Sequence, residues 1–478
     1  MPLPDLIEIV PLAQRVTAEI TVPGSKSITN RALVLAALAE GETTLLGALW
    51  SEDTQVMVEC LQELGFMVNV VADPKEPCNR TITVYGKGQS VPRGGTDAQP
   101  VELFVGNAGT AARFLAALVC LGEGAYRLSG VARMHERPQA ALFHALRELG
   151  YQIDSPNDKL PALFHGAGPQ PGRCRVSIKE SSQFASALLL CAEQGGWSVE
   201  VVGDNAEESP YVRMTTELAK VFPRSGGTFQ IEPDASSGSY FLAAHELAPR
   251  EDYLERSQQY GVVVPTTRFS TIAVANWPRS GWQIDENFAF GAKVDRAMRA
   301  ELKRSASLSE AERMAVALDP LVHVADLKWD NRGVVSRKTD LGDSIMTAIV
   351  LAPFAEQPTR FVDLGRLRLQ ECERVAALRS ELTKCSAKVV EEGDTLTVYP
   401  SELHGAEIET YNDHRMAMCF AVLGLKVPGI KIRNPACVKK TFPNFFQKLA
   451  AAPPQGLGAT IRDAKTGAAL ALEELFAE

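Results

Sequence analysis

The stretch Pro23-Gly-Ser-Lys-Ser-Ile-Thr-Asn-Arg-Ala-Leu-Val-Leu-Ala-Ala-Leu-Ala39 sets the terms on which the rest of the chain is read. A cluster of small and polar residues gives way at once to a helical run that is apolar on nearly every face. A helix without a polar face belongs in a domain interior, packed all round by other elements. Its start is rich in Ser, Thr and Asn, which are good N-caps, and a helix start carries free backbone N–H groups and the positive end of the helix dipole. Such an end suits an anion. Lys26 and Arg31 are set directly into it.

The same shape recurs at Gly106-Asn-Ala-Gly-Thr-Ala-Ala-Arg-Phe-Leu-Ala-Ala-Leu, Ser181-Ser-Gln-Phe-Ala-Ser-Ala-Leu-Leu-Leu-Cys-Ala and Asp234-Ala-Ser-Ser-Gly-Ser-Tyr-Phe-Leu-Ala-Ala. Two further copies are Asp340-Leu-Gly-Asp-Ser-Ile-Met-Thr-Ala-Ile-Val-Leu-Ala and Tyr411-Asn-Asp-His-Arg-Met-Ala-Met-Cys-Phe-Ala-Val-Leu. The six copies lie about 50 to 110 residues apart, a spacing too uneven for a solenoid and suited to diverged structural repeats. A second recurrence falls between them. Cys60-Leu-Gln-Glu-Leu-Gly-Phe-Met-Val-Asn-Val-Val, Ala145-Leu-Arg-Glu-Leu-Gly-Tyr-Gln-Ile and Leu378-Arg-Ser-Glu-Leu-Thr-Lys-Cys-Ser-Ala-Lys-Val-Val each run from an amphipathic helix through a small residue into an alternating strand. The unit is a helix–strand–helix–strand block. Its repetition predicts an α/β (α+β) fold with sheets packed on buried helices.

At 478 residues the chain has room for two to four domains, and with 45% hydrophobic and 22% charged residues it has the composition of a globular protein. A formal charge of −9 gives no global attraction for nucleic acid or anionic membrane, so an anionic ligand would have to be held by local cations. The N-terminus lacks the basic-then-apolar pattern of a secretory signal. No apolar run approaches the ~18 residues of a membrane span, and we expect a soluble cytoplasmic protein. Nine scattered cysteines with no C-x-x-C pair read as buried thiols, and seven dispersed histidines offer no metal-ligand spacing.

Local cations are present in the right places. Arg113 follows the second cluster, and Asp413, His414 and Arg415 open the sixth. Arg137, Arg374 and the pair Lys439-Lys440 are further candidates, because Arg binds carboxylate or phosphate through two parallel hydrogen bonds and Lys acts as a point charge. So many cations imply more than one anionic group. Nucleotide motifs do not account for them: Gly24-Ser-Lys-Ser lacks the Gly-Lys-Ser/Thr order of a P-loop, and no G-x-G-x-x-G or G-x-S-x-G is present. Asp343 and Glu371 could serve as acid and base.

Taken together, Gly24-Ser-Lys-Ser-Ile-Thr-Asn-Arg, Gly106-Asn-Ala-Gly-Thr-Ala-Ala-Arg, Arg133-Met-His-Glu-Arg-Pro, Ser181-Ser-Gln-Phe, Asp234-Ala-Ser-Ser-Gly-Ser-Tyr, Tyr411-Asn-Asp-His-Arg-Met-Ala-Met and Lys440-Thr-Phe-Pro-Asn-Phe resemble the 3-phosphoshikimate 1-carboxyvinyltransferase (EPSP synthase) family. They keep family order across most of the chain. The resemblance implies transfer of the enolpyruvyl group of phosphoenolpyruvate to the 5-hydroxyl of shikimate 3-phosphate, releasing phosphate, in the shikimate pathway to chorismate and aromatic amino acids. It implies no metal or organic cofactor, no nucleic acid or membrane partner, and a monomer. It also implies a two-domain inside-out α/β barrel, each domain having three repeated helix–strand units around buried parallel helices. Residues 25–233 would form one domain. Residues 1–24 and 234–478 would form the other, with a divergent or inserted region at about 245–335.

By the same resemblance Lys26, Gly109, Arg137, Gln183, Arg374, Arg415 and Lys440 would bind phosphoenolpyruvate. Lys26, Ser27, Arg31, Ser181, Ser182, Gln183, Tyr211, Asp343, Arg366 and Gln370 would bind shikimate 3-phosphate. Lys26, Asp343 and Glu371 would be catalytic, with Asp343 near the attacking hydroxyl and Glu371 handling the proton at the enolpyruvyl methylene. The chain departs from the family pattern in Arg366-Leu-Arg-Leu-Gln-Glu-Cys-Glu-Arg374, where a family Asn becomes Arg366 and a family Lys becomes Gln370. We expect Arg366 to compensate for Gln370. Two other readings are a catalytically weakened EPSP-synthase-like binding protein and the sister enolpyruvyl transferase acting on UDP-N-acetylglucosamine. The sister family places a Cys, sometimes Asp, in the loop before Arg137, and residues 122–137 contain no Cys.

Overall fold

A computed structural model describes residues 3–88, 90–203, 209–256, 263–268, 270–288 and 333–477. The six apolar runs all form helices: α1 (Lys26–Ala37), α2 (Gly109–Cys120), α3 (Gln183–Gly195), α4 (Ala235–Leu247), α5 (Ile345–Leu351) and α6 (His414–Gly424). Every residue of α2, α5 and α6 is buried, as expected of helices that lack a polar face. Helices α1, α2 and α3 pack on one another, and so do α4, α5 and α6.

Six of the seven sheets among the described residues divide three to each triad, the seventh being the antiparallel pair 251–256 with 263–268. With α1–α3 go a four-stranded sheet in the order 227–230, 40–49, 79–87, 67–72, a second in the order 101–104, 123–129, 162–167, 152–154, and the parallel pair 172–177 with 197–202. With α4–α6 go sheets in the orders 407–408, 430–433, 6–9, 461–463 and 334–336, 359–362, 395–398, 389–392, and the parallel pair 17–20 with 271–274. The apolar interior follows the same division. One core draws on residues 28–231, and the other on 3–22 together with 240–477. We call these lobe one and lobe two. Much of the segment at about 245–335 that diverges from the family pattern, residues 289–332, lies outside the described residues.

The second recurrence is visible as three outer helices, Glu52–Glu63, Ala140–Glu148 and Arg374–Lys384, each leading into a strand. The small residue between helix and strand is there for its backbone. Gly65, Gly150 and Ser386 have φ of 88°, 93° and 70°, the left-handed conformation that ends a helix and turns the chain back. The nine cysteines are free thiols, eight of them buried.

The chain passes between the lobes twice, and the two passages run side by side. Gly24 and Pro233 form an antiparallel bridge, the Ser25 amide donates to the Glu232 carbonyl at 2.8 Å, and the Asp234 amide donates to the Pro23 carbonyl at 2.8 Å. The Gly24 amide also donates to Asn79 Oδ1 at 2.8 Å. Beside this crossing, buried Glu76 of lobe one accepts from the Thr21 hydroxyl at 2.7 Å, Lys448 Nζ at 2.7 Å and Asn444 Nδ2 at 2.8 Å. The crossing leaves no room for a side chain: a Cβ on Gly24 would lie 2.0 Å from the Gly47 carbonyl oxygen. Since backbone rather than a movable side chain is in the way, Gly24→Ala should cost at least ~2 kcal/mol of stability. Urea unfolding of the variant checks this, and an unchanged midpoint would show that the crossing can yield.

Candidate functional site

The N-terminal ends of all six central helices meet at one cleft between the lobes. Its walls include Lys26 of α1, Thr110 and Arg113 of α2, Gln183 of α3, Ser236 of α4, Asp343 just ahead of α5, and His414 and Arg415 of α6. A triad whose starts share one end must run in one direction, and each start contributes roughly half a positive charge. The two lobes treat these ends differently. In lobe two each start is taken by a carboxylate. Asp234 accepts from the Ser237 amide at 2.7 Å and Asp413 from the Arg415 amide at 2.9 Å. Asp285 accepts from the amides of Gly342 at 2.6 Å and Ser344 at 3.2 Å, ahead of α5. In lobe one no carboxylate caps α1, α2 or α3 among the described residues, and the caps Ser25, Ala108 and Ser182 make no side-chain hydrogen bond. Ser25 and Ser182 therefore do not cap as the sequence suggests, although the Ser181 hydroxyl accepts from the Gln183 amide at 3.2 Å, and the positive ends of lobe one meet no capping carboxylate among the described residues.

Lobe one adds cations to these open ends. Arg31, 2% exposed, donates to Thr215 Oγ1 at 2.8 Å, the Ser27 carbonyl at 2.8 Å and Ser186 Oγ at 3.0 Å, all neutral acceptors. Burial pushes its guanidinium down to about 10. Arg113, also 2% exposed, donates to the carbonyls of Gly109 at 3.1 Å and Pro138 at 2.8 Å, and its Nε has no partner. Burial first, and then the neighbouring Arg137, hold it well below its usual value. Arg137 reaches the Asn107 carbonyl at 3.2 Å, and Gln183 Nε2 donates to Thr110 Oγ1 at 3.1 Å. Lys26 Nζ pairs with Asp53 at 3.0 Å. Gly109 sits under the two arginines: a Cβ there would lie 2.5 Å from Arg137 Nη2 and 2.7 Å from Arg113 Nη1.

Lobe two answers with cations already paired to carboxylates. Asp343 is held at Oδ1 by Arg337 Nη2 at 2.8 Å and at Oδ2 by Arg415 Nη2 at 3.2 Å. Arg374, 1% exposed, donates to Asp413 through Nε at 2.6 Å and Nη2 at 3.1 Å, and lies 2.9 Å from Glu371. Lys440 Nζ is 3.5 Å from the other Glu371 oxygen. Burial alone would raise both catalytic candidates. For Asp343 it is outweighed by Arg415, Arg337 and Arg374, and for Glu371 by Arg374 and Lys440, so both carboxyl groups lie well below the usual carboxylate range. Gln370 is the neutral link, accepting from Arg374 Nη1 at 2.5 Å while its Nε2 lies 3.5 Å from Asp343 Oδ1.

The residues singled out in the sequence are brought together here. Lys26, Ser27, Arg31, Arg137, Ser181, Ser182, Gln183, Tyr211, Asp343, Arg366, Gln370, Glu371, Arg374 and Arg415 line the cleft, and Gly109 and Lys440 lie one contact behind it. Arg366 and Gln370 both line the cleft but make different contacts. Arg366 Nη2 crosses to the Ile178 carbonyl of lobe one at 2.5 Å, and the guanidinium that shares Asp343 Oδ1 with Gln370 is Arg337. Sequence reasoning passed over Arg337, which lies in no repeat start, and Asp285, which lies in no motif at all. His414 it noted without a role. This residue is 1% exposed, lines the cleft, and neither ring nitrogen has a hydrogen-bond partner.

Comparison with known proteins follows the same lines. A protein-family model described as "EPSP synthase (3-phosphoshikimate 1-carboxyvinyltransferase)" matches residues 11–255 and 270–449. A 3-phosphoshikimate 1-carboxyvinyltransferase of Trichormus variabilis is 34% identical over 469 residues, covering 93% of this chain and 98% of that protein. One of Aeromonas salmonicida is 36% identical over 460 residues, covering 91% and 96%. Among solved structures, an EPSP synthase from Acinetobacter baumannii has a TM-score of 0.62 at 19% identity, covering 96% of this chain and 100% of that one. The enolpyruvyl transferase NikO from Streptomyces tendae has a TM-score of 0.61 at 16% identity, covering 97% and 99%.

The paired carboxylates make a testable contribution to stability. Asp343→Asn would leave Arg337 and Arg415 buried against each other, and breaking a buried pair in this way costs ~3–5 kcal/mol. A carboxyl whose folded-state pKa is depressed stabilises the fold above its unfolded value near 4 and loses that contribution as pH falls through the folded value. Urea unfolding should separate the variant from the native protein by that amount at pH 7. The gap should narrow below about pH 4, whereas a constant gap would show that ionisation is not what the pair supplies.

Proposed function

Because this chain belongs to the EPSP synthase family, we propose that its cleft binds phosphoenolpyruvate and shikimate 3-phosphate and transfers the enolpyruvyl group of the first to the 5-hydroxyl of the second, releasing phosphate. The observation that carries this reading is the asymmetry of the two lobes. Lobe one offers buried guanidinium groups and uncapped helix starts without carboxylate partners, as two small anions each bearing phosphate and carboxylate require. Lobe two offers Asp343 and Glu371, the carboxylates needed for proton transfer.

In the addition step a proton reaches the enolpyruvyl methylene, the adjacent carbon becomes electrophilic, and the 5-hydroxyl oxygen bonds to it while its proton passes to an acceptor. In the elimination step a proton leaves the methyl group formed in the first step, the double bond re-forms, and phosphate departs. In this reading Asp343 accepts the hydroxyl proton, and Glu371 gives and takes the proton at the enolpyruvyl methylene carbon. Both are held ionised by Arg415, Arg374 and Lys440, the same cations that the resemblance assigns to phosphoenolpyruvate. A bound substrate anion competes for those cations, so it raises the two carboxyl groups toward a working range when chemistry is due. Lys26, freed from Asp53, supplies further charge to the developing phosphate. The lobes, pivoting at the Gly24–Pro233 crossing, would close and exclude water. The same reading makes the protein a cytoplasmic monomer.

Incubation with phosphoenolpyruvate and either shikimate 3-phosphate or UDP-N-acetylglucosamine, following phosphate release, tests the reading. Release is expected with the first acceptor alone. No release with either, despite thermal stabilisation by both ligands, would make the protein a binding relative. Gly109→Ala should displace the mobile ends of Arg137 and Arg113 rather than backbone. We expect KM for phosphoenolpyruvate to rise about tenfold or more, equivalent to ~1.4 kcal/mol, with little change in Tm. An unchanged KM would remove Gly109 from the phosphoenolpyruvate site.

A further inference from the structure

The geometry points to Arg337 as a positioning residue that orients Asp343 and keeps it ionised during turnover. This inference rests on the functional reading above, in which Asp343 receives the hydroxyl proton. Both oxygens of that carboxylate are held. Arg337 Nη2 is 2.8 Å from Oδ1, Arg415 Nη2 is 3.2 Å from Oδ2, and the neutral Gln370 lies 3.5 Å from Oδ1. The two arginines differ in what else they face. Arg415 opens α6 and lines the cleft beside the uncharged Tyr240 hydroxyl, 3.4 Å away, with Asp234 and Asp285 also acting on it, and it is the one of the two that the family resemblance assigns to phosphoenolpyruvate, whose anion would draw it off Asp343. Arg337 is fixed from behind. Its amide donates to the Val362 carbonyl at 3.1 Å, and the turn that carries it is closed by Asp340 Oδ2 accepting the Ser336 amide at 2.9 Å.

Arg337 is 8% exposed and makes its one described ion pair with Asp343, and its Nε has no partner among the described residues. Once the substrate anion engages Arg415, Arg337 becomes the direct cationic contact left on Asp343. The planar guanidinium then fixes where the carboxylate points and how basic it becomes. Other charged or titratable groups near Asp343 are Arg374 from its own lobe, Tyr211 from lobe one, and Asp285, whose carboxylate accepts from the Gly342 and Ser344 amides on either side of Asp343. Tyr211 is uncharged in the working range, since burial and then the Asp343 charge push it up. Arg374 has Asp413 and Glu371 as direct partners. Arg366 also approaches Arg337 and is lowered by burial and then by that cation.

The test is the pH dependence of kcat in Arg337→Gln and Arg337→Lys, with phosphoenolpyruvate and shikimate 3-phosphate saturating. Arg337→Gln keeps a hydrogen-bond donor and loses the charge, so Asp343 should protonate earlier on acidification. The acid limb of kcat should move up by about 1–3 pH units, while KM for phosphoenolpyruvate stays within threefold. Arg337→Lys keeps the charge and loses the fork, so the limb should stay with the native enzyme while kcat falls about tenfold. A loss of kcat that is the same at every pH in Arg337→Gln would overturn the inference, because that is what a merely structural role gives. Should Arg337→Gln fail to fold, an undiminished kcat in Arg337→Lys overturns it equally. No turnover by the native enzyme with this substrate pair would overturn the functional reading and this inference with it, whereas turnover with an unmoved limb overturns the inference alone.

Discussion

Like charges taken out of water lose hydration and repel one another, and the cleft gathers Arg31, Arg113, Arg337, Arg374 and Arg415, each less than a tenth exposed. The rest of the structure is organised around keeping them there. In lobe two the cost is offset locally, since Asp343, Glu371 and Asp413 are threaded between the arginines and Lys440. In lobe one it is not, and Arg31 and Arg113 are held by hydroxyls and carbonyls alone. In the proposed reading the substrate anions bring the missing counter-charge.

The central helices serve this end through their lack of a polar face. An amphipathic helix could lie anywhere on a sheet, but one buried on all sides must sit at the middle of its lobe, and three of them side by side present three starts at one place. Every residue of α2 is buried, so its register against α1 and α3 is fixed by packing on each side. Arg113 is thereby delivered to the cleft by a helix that cannot rotate. The sheets and outer helices wrap these triads, and the left-handed turns at Gly65, Gly150 and Ser386 fold each outer helix back onto its strand.

Two adjacent chain passages join the lobes, with Gly24 packed against the Gly47 carbonyl and Glu76 gathering Thr21, Asn444 and Lys448 beside them. The apolar core of each lobe is complete on its own side of this crossing. In the proposed reading, substrate phosphates and carboxylates compete with Asp343 and Glu371 for the same cations, which couples binding to the readiness of the two carboxyl groups.

The amino-acid sequence by itself determined the six apolar helices and the strands around them, because a helix that is apolar all round is legible in any window of a dozen residues. It also determined that cations stand at helix starts, as Lys26, Arg113 and Arg415 do, and the order of the motifs marks the family. Which carboxylate neutralises which cation was decided only by the tertiary structure. Arg337 meets Asp343 across a turn that no periodicity reveals, Asp285 reaches the start of α5 from about 60 residues earlier in the chain, and Arg366 crosses to the Ile178 carbonyl of lobe one. Helix formation depends on neighbours in sequence, whereas ion pairing in a buried cleft depends on side chains that only packing brings within ~4 Å.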